Sequence, residues 1–240
     1  MSCAIAPGAG EEPSHIIDYG DGASLRSPLG ATAFCSAVRA YELLTPLEAE
    51  RAERTLVRYA SHPFRRFALA SNSDDGLRCY GEPAELGSEA EEVEAKRGAM
   101  VYPLIWEHAR TRRRALMPHT RCVEGLDVYA DHASMLAALA AVQENGAPNS
   151  ESDAAAPVVV ERDAARSYLH TLMRRAIEPA LCYPHRWREG DVCCWDNHAV
   201  WHSATGALRE TDRRCMHLTS FDATAPPLPP TKVFGGGSRL

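Results

Sequence analysis

The stretch Gly190-Asp191-Val192-Cys193-Cys194-Trp195-Asp196-Asn197-His198-Ala199-Val200-Trp201-His202, followed past Gly206 by Asp212-Arg213-Arg214-Cys215-Met216-His217-Leu218, decides how this chain is read. It opens on a charged turn, Arg188-Glu189-Gly190-Asp191, and continues as two strand-like runs separated by a loop. Side chains alternate across a strand, so an unbroken first run puts Cys194, Asp196, His198, Val200 and His202 on one face. By the same rule Arg214, Met216 and Leu218 share a face of the second run. If a hairpin joins the runs, His202 and Arg214 point into one pocket from neighbouring strands. Imidazole is a good ligand for divalent iron. The planar fork of arginine grips a carboxylate in a way that lysine does not match. A lone strand histidine is more often a packed or surface residue. Beside such an arginine it fits a metal whose co-substrate is an anionic keto acid.

Working outward, Ala164 to Ile177 has Tyr168, Leu169, Leu172 and Ile177 on roughly one side and reads as a helix. Ala130 to Gln143, rich in Ala and Leu, reads as another. Gly146 to Pro157 is a low-complexity insertion, expected to be disordered. Met100–Trp106 and Arg114–Met117 are short strand-like runs around a polar turn. That turn holds Arg110, Arg112, Arg113 and Arg114, expected to be a solvent-exposed hairpin tip. Ser71 to Ala99 carries eight carboxylates against Arg78 before Lys96 is reached, and reads as a surface loop. As a long loop it has a second reading, a lid over a site. Near Thr32 the periodicity is helical through Phe34, Val38, Tyr41 and Leu44. A second helix opens at Thr45, with Pro46 in its first turn and Glu48 closing a capping box, and is expected to run to about Ala60. Residues 1–29 and the tail from Pro226 read as irregular. Short strands with helices outside them indicate an α+β or β-sandwich architecture.

Composition narrows the function classes. The 240 residues, 45% hydrophobic, suffice to bury a sizeable core, and the chain is read as one domain, 1–240. A formal charge of −6 argues against a nucleic-acid partner, and the arginine cluster lacks the aromatic interleaving of such a patch. No run of eighteen apolar residues exists, so no membrane role is expected. Met1 to Gly10 has no basic flank or sustained apolar run, unlike a secretory signal. The eight cysteines show no C-x-x-C spacing, which argues against zinc and against a disulfide framework. They are expected to be reduced thiols filling core gaps, in a cytoplasmic protein.

The order G-D-x-x-x-W-D-N-x-x-x-x-H, then A-T, then R-R-x-M-H, read from Gly190 to His217, resembles the C-terminal signature of the taurine dioxygenase (TauD/TfdA) family. Pro179 to Trp187 is similar to that family's approach to the same strand. Tyr102-Pro103-Leu104, the Arg112–Leu116 turn and Gly125-Leu126 look like its central region. Gly30-Ala31-Thr32-Ala33-Phe34 is similar to its G-D-T segment, so the resemblance runs from about Gly30 to Ser220. It implies a double-stranded β-helix (jelly roll) with flanking helices. The implied enzyme is an iron(II)- and 2-oxoglutarate-dependent dioxygenase that hydroxylates a C–H bond of a small molecule, with molecular oxygen as the other reactant. On the same resemblance His202 is the distal iron-binding histidine. Arg214 clamps the far carboxylate of 2-oxoglutarate, and Thr32 is a second hydrogen-bonding partner of it. Trp195, Asp196 and Asn197 are scaffold, and Arg213 points outward.

The pattern breaks in three places, one of them His198, where the family commonly has arginine after the W-D-N triplet. No H-x-D or H-x-E, the source of the family's other two iron ligands, occurs in the chain. The chain is therefore expected to be incomplete at its N-terminus. The nearest approach is His15-Ile16-Ile17-Asp18, and residues three apart on a strand face opposite ways. Taurine-specific members place an arginine where Leu218 stands. Leu218, a residue of the expected substrate pocket, cannot hold a sulfonate, which argues against taurine as substrate. The alternative reading is a non-catalytic relative that binds a keto acid or a partner without turnover. A hydrolase built on His202 would need a nucleophile elbow, and no G-x-S-x-G is present.

Overall fold

The computed structural model describes residues 1–6, 14–59, 67–72, 79–83, 100–145, 156–206, 208, 212–220 and 227–231. The expected disorder of Gly146–Pro157 falls mostly outside them, as do 73–78 and 84–99 of the acidic stretch. The strands are β1 (Ser2–Ile5), β2 (Ser14–Asp18), β3 (Ser24–Pro28), β4 (Thr32–Ser36), β5 (Thr55–Tyr59), β6 (Phe67–Asn72), β7 (Cys79–Pro83) and β8 (Met100–Pro103). They continue as β9 (Ile105–Glu107), β10 (Arg114–Leu116), β11 (Val123–Val128), β12 (Val158–Glu161), β13 (Cys182–His185), β14 (Val200–Ala204) and β15 (Cys215–His217). The helices are α1 (Ala37–Glu42), α2 (Pro46–Glu53), α3 (His132–Asn145) and α4 (Arg162–Met173). Among the described residues no helix is long and apolar enough to cross a membrane.

Two antiparallel sheets organise the chain, one ordered β12-β11-β5-β8 and the other β13-β4-β14. β5 is buried on both faces, which is why Thr-Leu-Val-Arg-Tyr reads as apolar without alternating. Val57 faces a cluster with Leu104, Leu116, Leu126, Leu169 and Leu172 under α4. Leu56 faces a second cluster with Val101, Met135 and Leu139 under α3. Sheet and helices thus share the core, the α+β arrangement expected.

Several local expectations are corrected. Thr32–Ser36 is a strand and not the start of a helix, because β4 is hydrogen-bonded on both sides and tertiary pairing overrides periodicity. The helix begins only after Ser36, whose Oγ accepts from the Arg39 N–H at 3.1 Å as an N-cap. The capping box at Thr45 and Glu48 is present, but α2 stops at Glu53, and β-branched Thr55 and Val57 continue as strand. Residues 1–29, read as irregular, contain β1, β2 and β3. Part of the acidic stretch is strand, since β6 and β7 pair with each other.

The arginine cluster also divides. Arg113 pairs with Glu42, and Arg112 with Glu107, at the hairpin between β9 and β10. Arg114 turns inward instead, to an ion pair with Glu53, whose side chain is 1% exposed. Tyr41 completes the group, its hydroxyl donating to Glu53 Oε1 at 2.5 Å and accepting from Arg114 Nη1 at 3.0 Å. Burial and then the Glu53 carboxylate push the Tyr41 phenol up to about 12, so it stays protonated as a donor. This group joins α1, α2 and β10 behind the second sheet. Removing one partner of a buried pair strands the other charge and costs about 3–5 kcal/mol. Arg114→Met is therefore expected to lower urea-denaturation stability by about that amount, and Arg114→Met with Glu53→Gln by clearly less. Equal losses in the two variants would show that the pair is not what holds these elements together.

Candidate functional site on the face of the β13-β4-β14 sheet

β4 lies between its two partners in a fixed register. Phe34 is opposite Tyr183 and His202, and Thr32 is opposite His185 and Ala204. Directly opposed residues share a sheet face and neighbours along a strand alternate. One face therefore carries Thr32, Phe34, Tyr183, His185, His202 and Ala204. The other carries Cys35, Cys182 and Trp201, and Trp201 packs against the main core. Tyr183, 62% exposed, shows that the first face is the open one.

At the inner end of that face the Thr32 side chain is buried. The indole Nε1–H of buried Trp187 donates to Thr32 Oγ1 at 3.0 Å, and Arg214 Nη2 donates to the same oxygen at 3.3 Å. A hydroxyl has two lone pairs and one proton. Both lone pairs of Thr32 are taken by groups that only donate, so its own proton is left to point at an acceptor. Trp187 is held edge-on against His185, with ring centroids 4.5 Å apart at 87°.

Arg214 has no carboxylate partner among the described residues, and its Nε is buried without a hydrogen-bond partner there. Burial pushes its pKa down, and the nearby Cys3 thiol only partly opposes this. A half-buried guanidinium with no counter-charge among the described residues is costly. With the spare Thr32 proton beside it, the arrangement could take an anionic, multidentate oxygen ligand. A carboxylate supplies that.

His202 sits further out on the same face. The residue is exposed, yet one side of its ring is flanked by Trp195 at 4.7 Å and Phe34 at 6.2 Å between centroids. Burial, and then the charge of nearby His119, push its pKa below the ordinary histidine value. The imidazole is therefore neutral near pH 7, the form that ligates metals. Among the described residues, however, no three His, Cys, Asp or Glu side chains are placed to hold a metal ion. These residues do not by themselves complete a facial triad. His15 and Asp18 do not supply the rest. Asp18 Oδ1 accepts from the Gly20 N–H at 2.8 Å in the turn to β3, and His15, of opposite parity, has both ring nitrogens buried without partners among the described residues.

The run before His202 is not an unbroken strand. Asp196 Oδ1 accepts from the His198 N–H, and its backbone carbonyl from Ala199 and Val200, making a tight turn ahead of β14. Asp196 Oδ2 is 2.9 Å from His108 Nε2. His108 Nδ1 accepts from the Thr111 N–H at 3.1 Å, so Nε2 carries the proton and donates. Trp195 Nε1 donates to Asn197 Oδ1 at 2.7 Å. Beyond the turn His198 packs edge-on against Trp106, so it leaves the His202 face. The expected hairpin is also corrected, because β14 pairs with β4 while β15 pairs with β1. Arg214 nevertheless reaches Thr32, on the face that bears His202, by way of β4. Arg213 is exposed. Leu218 is 64% exposed and touches none of these groups through a described hydrogen bond. Sequence reasoning gave Trp187 no role of its own and passed over His108. Trp187 is 155 positions from Thr32, and no local pattern announces such a contact.

The open sheet face thus brings together Arg214, which has no carboxylate partner among the described residues, the Thr32 hydroxyl and the His202 imidazole. The matching family model is that of the taurine catabolism dioxygenase TauD, TfdA family, over residues 20–220, and the chain belongs to that family. It is 31% identical over 222 residues to the alpha-ketoglutarate-dependent xanthine dioxygenase xan1 of Schizosaccharomyces pombe, covering 91% of this chain and 48% of that protein. The Neurospora crassa xanthine dioxygenase xan-1 is 28% identical over 228 residues, 95% of this chain and 48% of its own length. The chain thus spans about half the length of the curated relatives it matches. A solved structure from Burkholderia xenovorans, described as an alpha-ketoglutarate dependent 2,4-D dioxygenase, aligns with a TM-score of 0.53 at 18% identity. It covers 90% of this chain and 57% of that one, and shows the shared jelly-roll class of fold.

The Thr32 arrangement is testable without any ligand. Thr32→Val keeps the shape but removes the acceptor of the buried Trp187 N–H, a loss of about 1–3 kcal/mol. Urea denaturation should report that loss, with Thr32→Ser close to wild type. A neutral Thr32→Val would mean that Trp187 finds another acceptor.

Proposed function

We propose that this chain supplies the 2-oxoglutarate-binding part of an iron(II)-dependent dioxygenase, working as a single domain over 1–240 in the cytoplasm. Arg214 and Thr32 hold the far carboxylate of 2-oxoglutarate, and His202 is one protein ligand of the iron. The reaction class is oxidation of a substrate C–H bond by molecular oxygen, coupled to decarboxylation of 2-oxoglutarate to succinate and carbon dioxide. The observation that carries the reading is the Arg214 guanidinium, without a carboxylate partner among the described residues, against a Thr32 hydroxyl whose only uncommitted function is to donate. In the bound state Thr32 and Arg214 orient the keto acid, while Trp187 keeps the Thr32 proton turned toward it. The crowding of His202 by Phe34 and Trp195 keeps the imidazole neutral. The substrate is a small organic molecule. Xanthine, which the relatives' names specify for them, is the first candidate to test, with Leu218 at the rim of the pocket. An uncharged Leu218 is consistent with a substrate that carries no sulfonate.

Titration calorimetry with 2-oxoglutarate tests the clamp. Charge-assisted hydrogen bonds of this kind contribute about 1.5–3 kcal/mol, so Arg214→Met should weaken binding about ten- to a hundredfold. Unchanged binding in Arg214→Met would overturn the reading. Because the described residues offer one metal-binding histidine, the 240-residue chain by itself is expected to release little or no succinate with iron(II) and xanthine. Robust succinate release that disappears in His202→Ala would mean that further ligands lie among residues not named above. Its disappearance in both His15→Ala and Asp18→Ala would assign them to that pair.

A further inference from the structure

The core-facing side of the same sheet holds a pair of thiols that this reading does not use. Cys35 of β4 and Cys182 of β13 stand directly opposite each other. Antiparallel partners alternate between two kinds along a ladder. In the hydrogen-bonded kind the Cα atoms are about 5.5 Å apart, and in the other kind about 4.5 Å, with the side chains closer. Pro184 decides which kind this is. It stands opposite Ala33, two positions along from the cysteines, and so belongs to the same kind. Proline has no N–H to give, and a hydrogen-bonded pair must exchange two N–H···O bonds. Ala33–Pro184, and with it Cys35–Cys182, is therefore the close, non-hydrogen-bonded kind. The same phase sends the backbone groups of Cys35 to Trp201, its partner on β14. A Cα separation of about 4.5 Å lies inside the range that disulfides span, about 4.4–6.8 Å.

Both thiols are free, Cys35 buried and Cys182 half-buried. The neighbouring Cys182 thiol, and then burial, push the pKa of Cys35 up, while the Cys35 thiol pushes that of Cys182 down. Cys182, the less buried residue of the two and the one whose pKa is lowered, is thus the better nucleophile. Among the described residues no other cysteine faces a cysteine across a ladder. Cys3 is opposite Met216, and Cys215 is opposite Ile5.

We propose that Cys35 and Cys182 form a reversible dithiol–disulfide site, oxidised by small disulfides of the glutathione type. The Cys182 thiolate attacks one sulfur of the small disulfide, forming a mixed disulfide and expelling one thiolate. The Cys35 sulfur then attacks the Cys182 sulfur, forming the Cys35–Cys182 bond and expelling the second thiolate, which takes up the Cys35 proton. Two protein thiols are oxidised and one small disulfide is reduced to two thiols. The new bond would fasten β4, the strand of Thr32 and Phe34, to β13, the strand of His185, so that two strands of the open face could not part.

The test uses the full chain, reduced, desalted, incubated with oxidised glutathione, blocked with N-ethylmaleimide and mapped by mass spectrometry without reduction. A Cys35–Cys182 linked peptide in excess over every other cysteine pair, reversed by dithiothreitol, is the expected result. In Cys35→Ala, glutathione should remain on Cys182. In Cys182→Ser, Cys35 should stay reduced. Cys35 and Cys182 both labelled by N-ethylmaleimide while exposed Cys194 and Cys215 carry glutathione would overturn the proposal. So would links scattered evenly over the cysteines of a chain that circular dichroism shows to be folded.

Discussion

Thr32 Oγ1 accepts one N–H from Trp187 and another from Arg214, and three distant parts of the chain meet on that oxygen. The strand that carries it is the middle one of its sheet, so the oxygen's position is set by ladders on both sides. Trp187 arrives at the end of β13 and is buried against His185. Arg214 arrives just before β15, which is held by β1. Each of these segments is short and would not keep a fixed place alone. Their common acceptor and the sheet together give the guanidinium a defined direction. The cost is a half-buried cation with no counter-charge among the described residues.

The second constraint acts through the turn at Asp196. Three backbone N–H groups converge on its side chain and carbonyl, and His108 holds its remaining oxygen. The turn starts β14 in the register that puts His202 opposite Phe34. His108 stands at the foot of the β9–β10 hairpin, whose Arg114 enters the buried group with Glu53 and Tyr41. Polar contacts at His108, Asp196, Arg114 and Glu53 thus fix the elements that flank the open face.

Membership of the TauD, TfdA family fits both observations, and so does the half-length alignment with the xanthine dioxygenases. On the proposed reading Arg214 and Thr32 would grip the keto acid and His202 would be one metal ligand, and the two roles can be measured one at a time.

Much of this was legible in the sequence because it depends on local chemistry. The capping box at Thr45 and Glu48, the helices around Ala138 and Leu169, and the W-D-N block with its following histidine and arginines all follow from nearby residues. The alternation that sets Arg214 apart from Arg213 is equally local. Pairing was not legible. Periodicity made Thr32–Ser36 a helix, and only its two ladders made it a strand. The first run was read as continuous until Asp196 folded it into a turn, and the hairpin of β14 with β15 gave way to pairing with β4 and β1. Arg114 looked like a surface arginine until Glu53 drew it inward, and Trp187 acquired a role only where the chain brought it to Thr32. Apart from the Asp196 turn, the physical reason is common to these. A backbone hydrogen bond or buried polar contact between residues far apart in the chain leaves no periodic trace in either segment, and its free energy is realised only when the tertiary structure has brought both ends together.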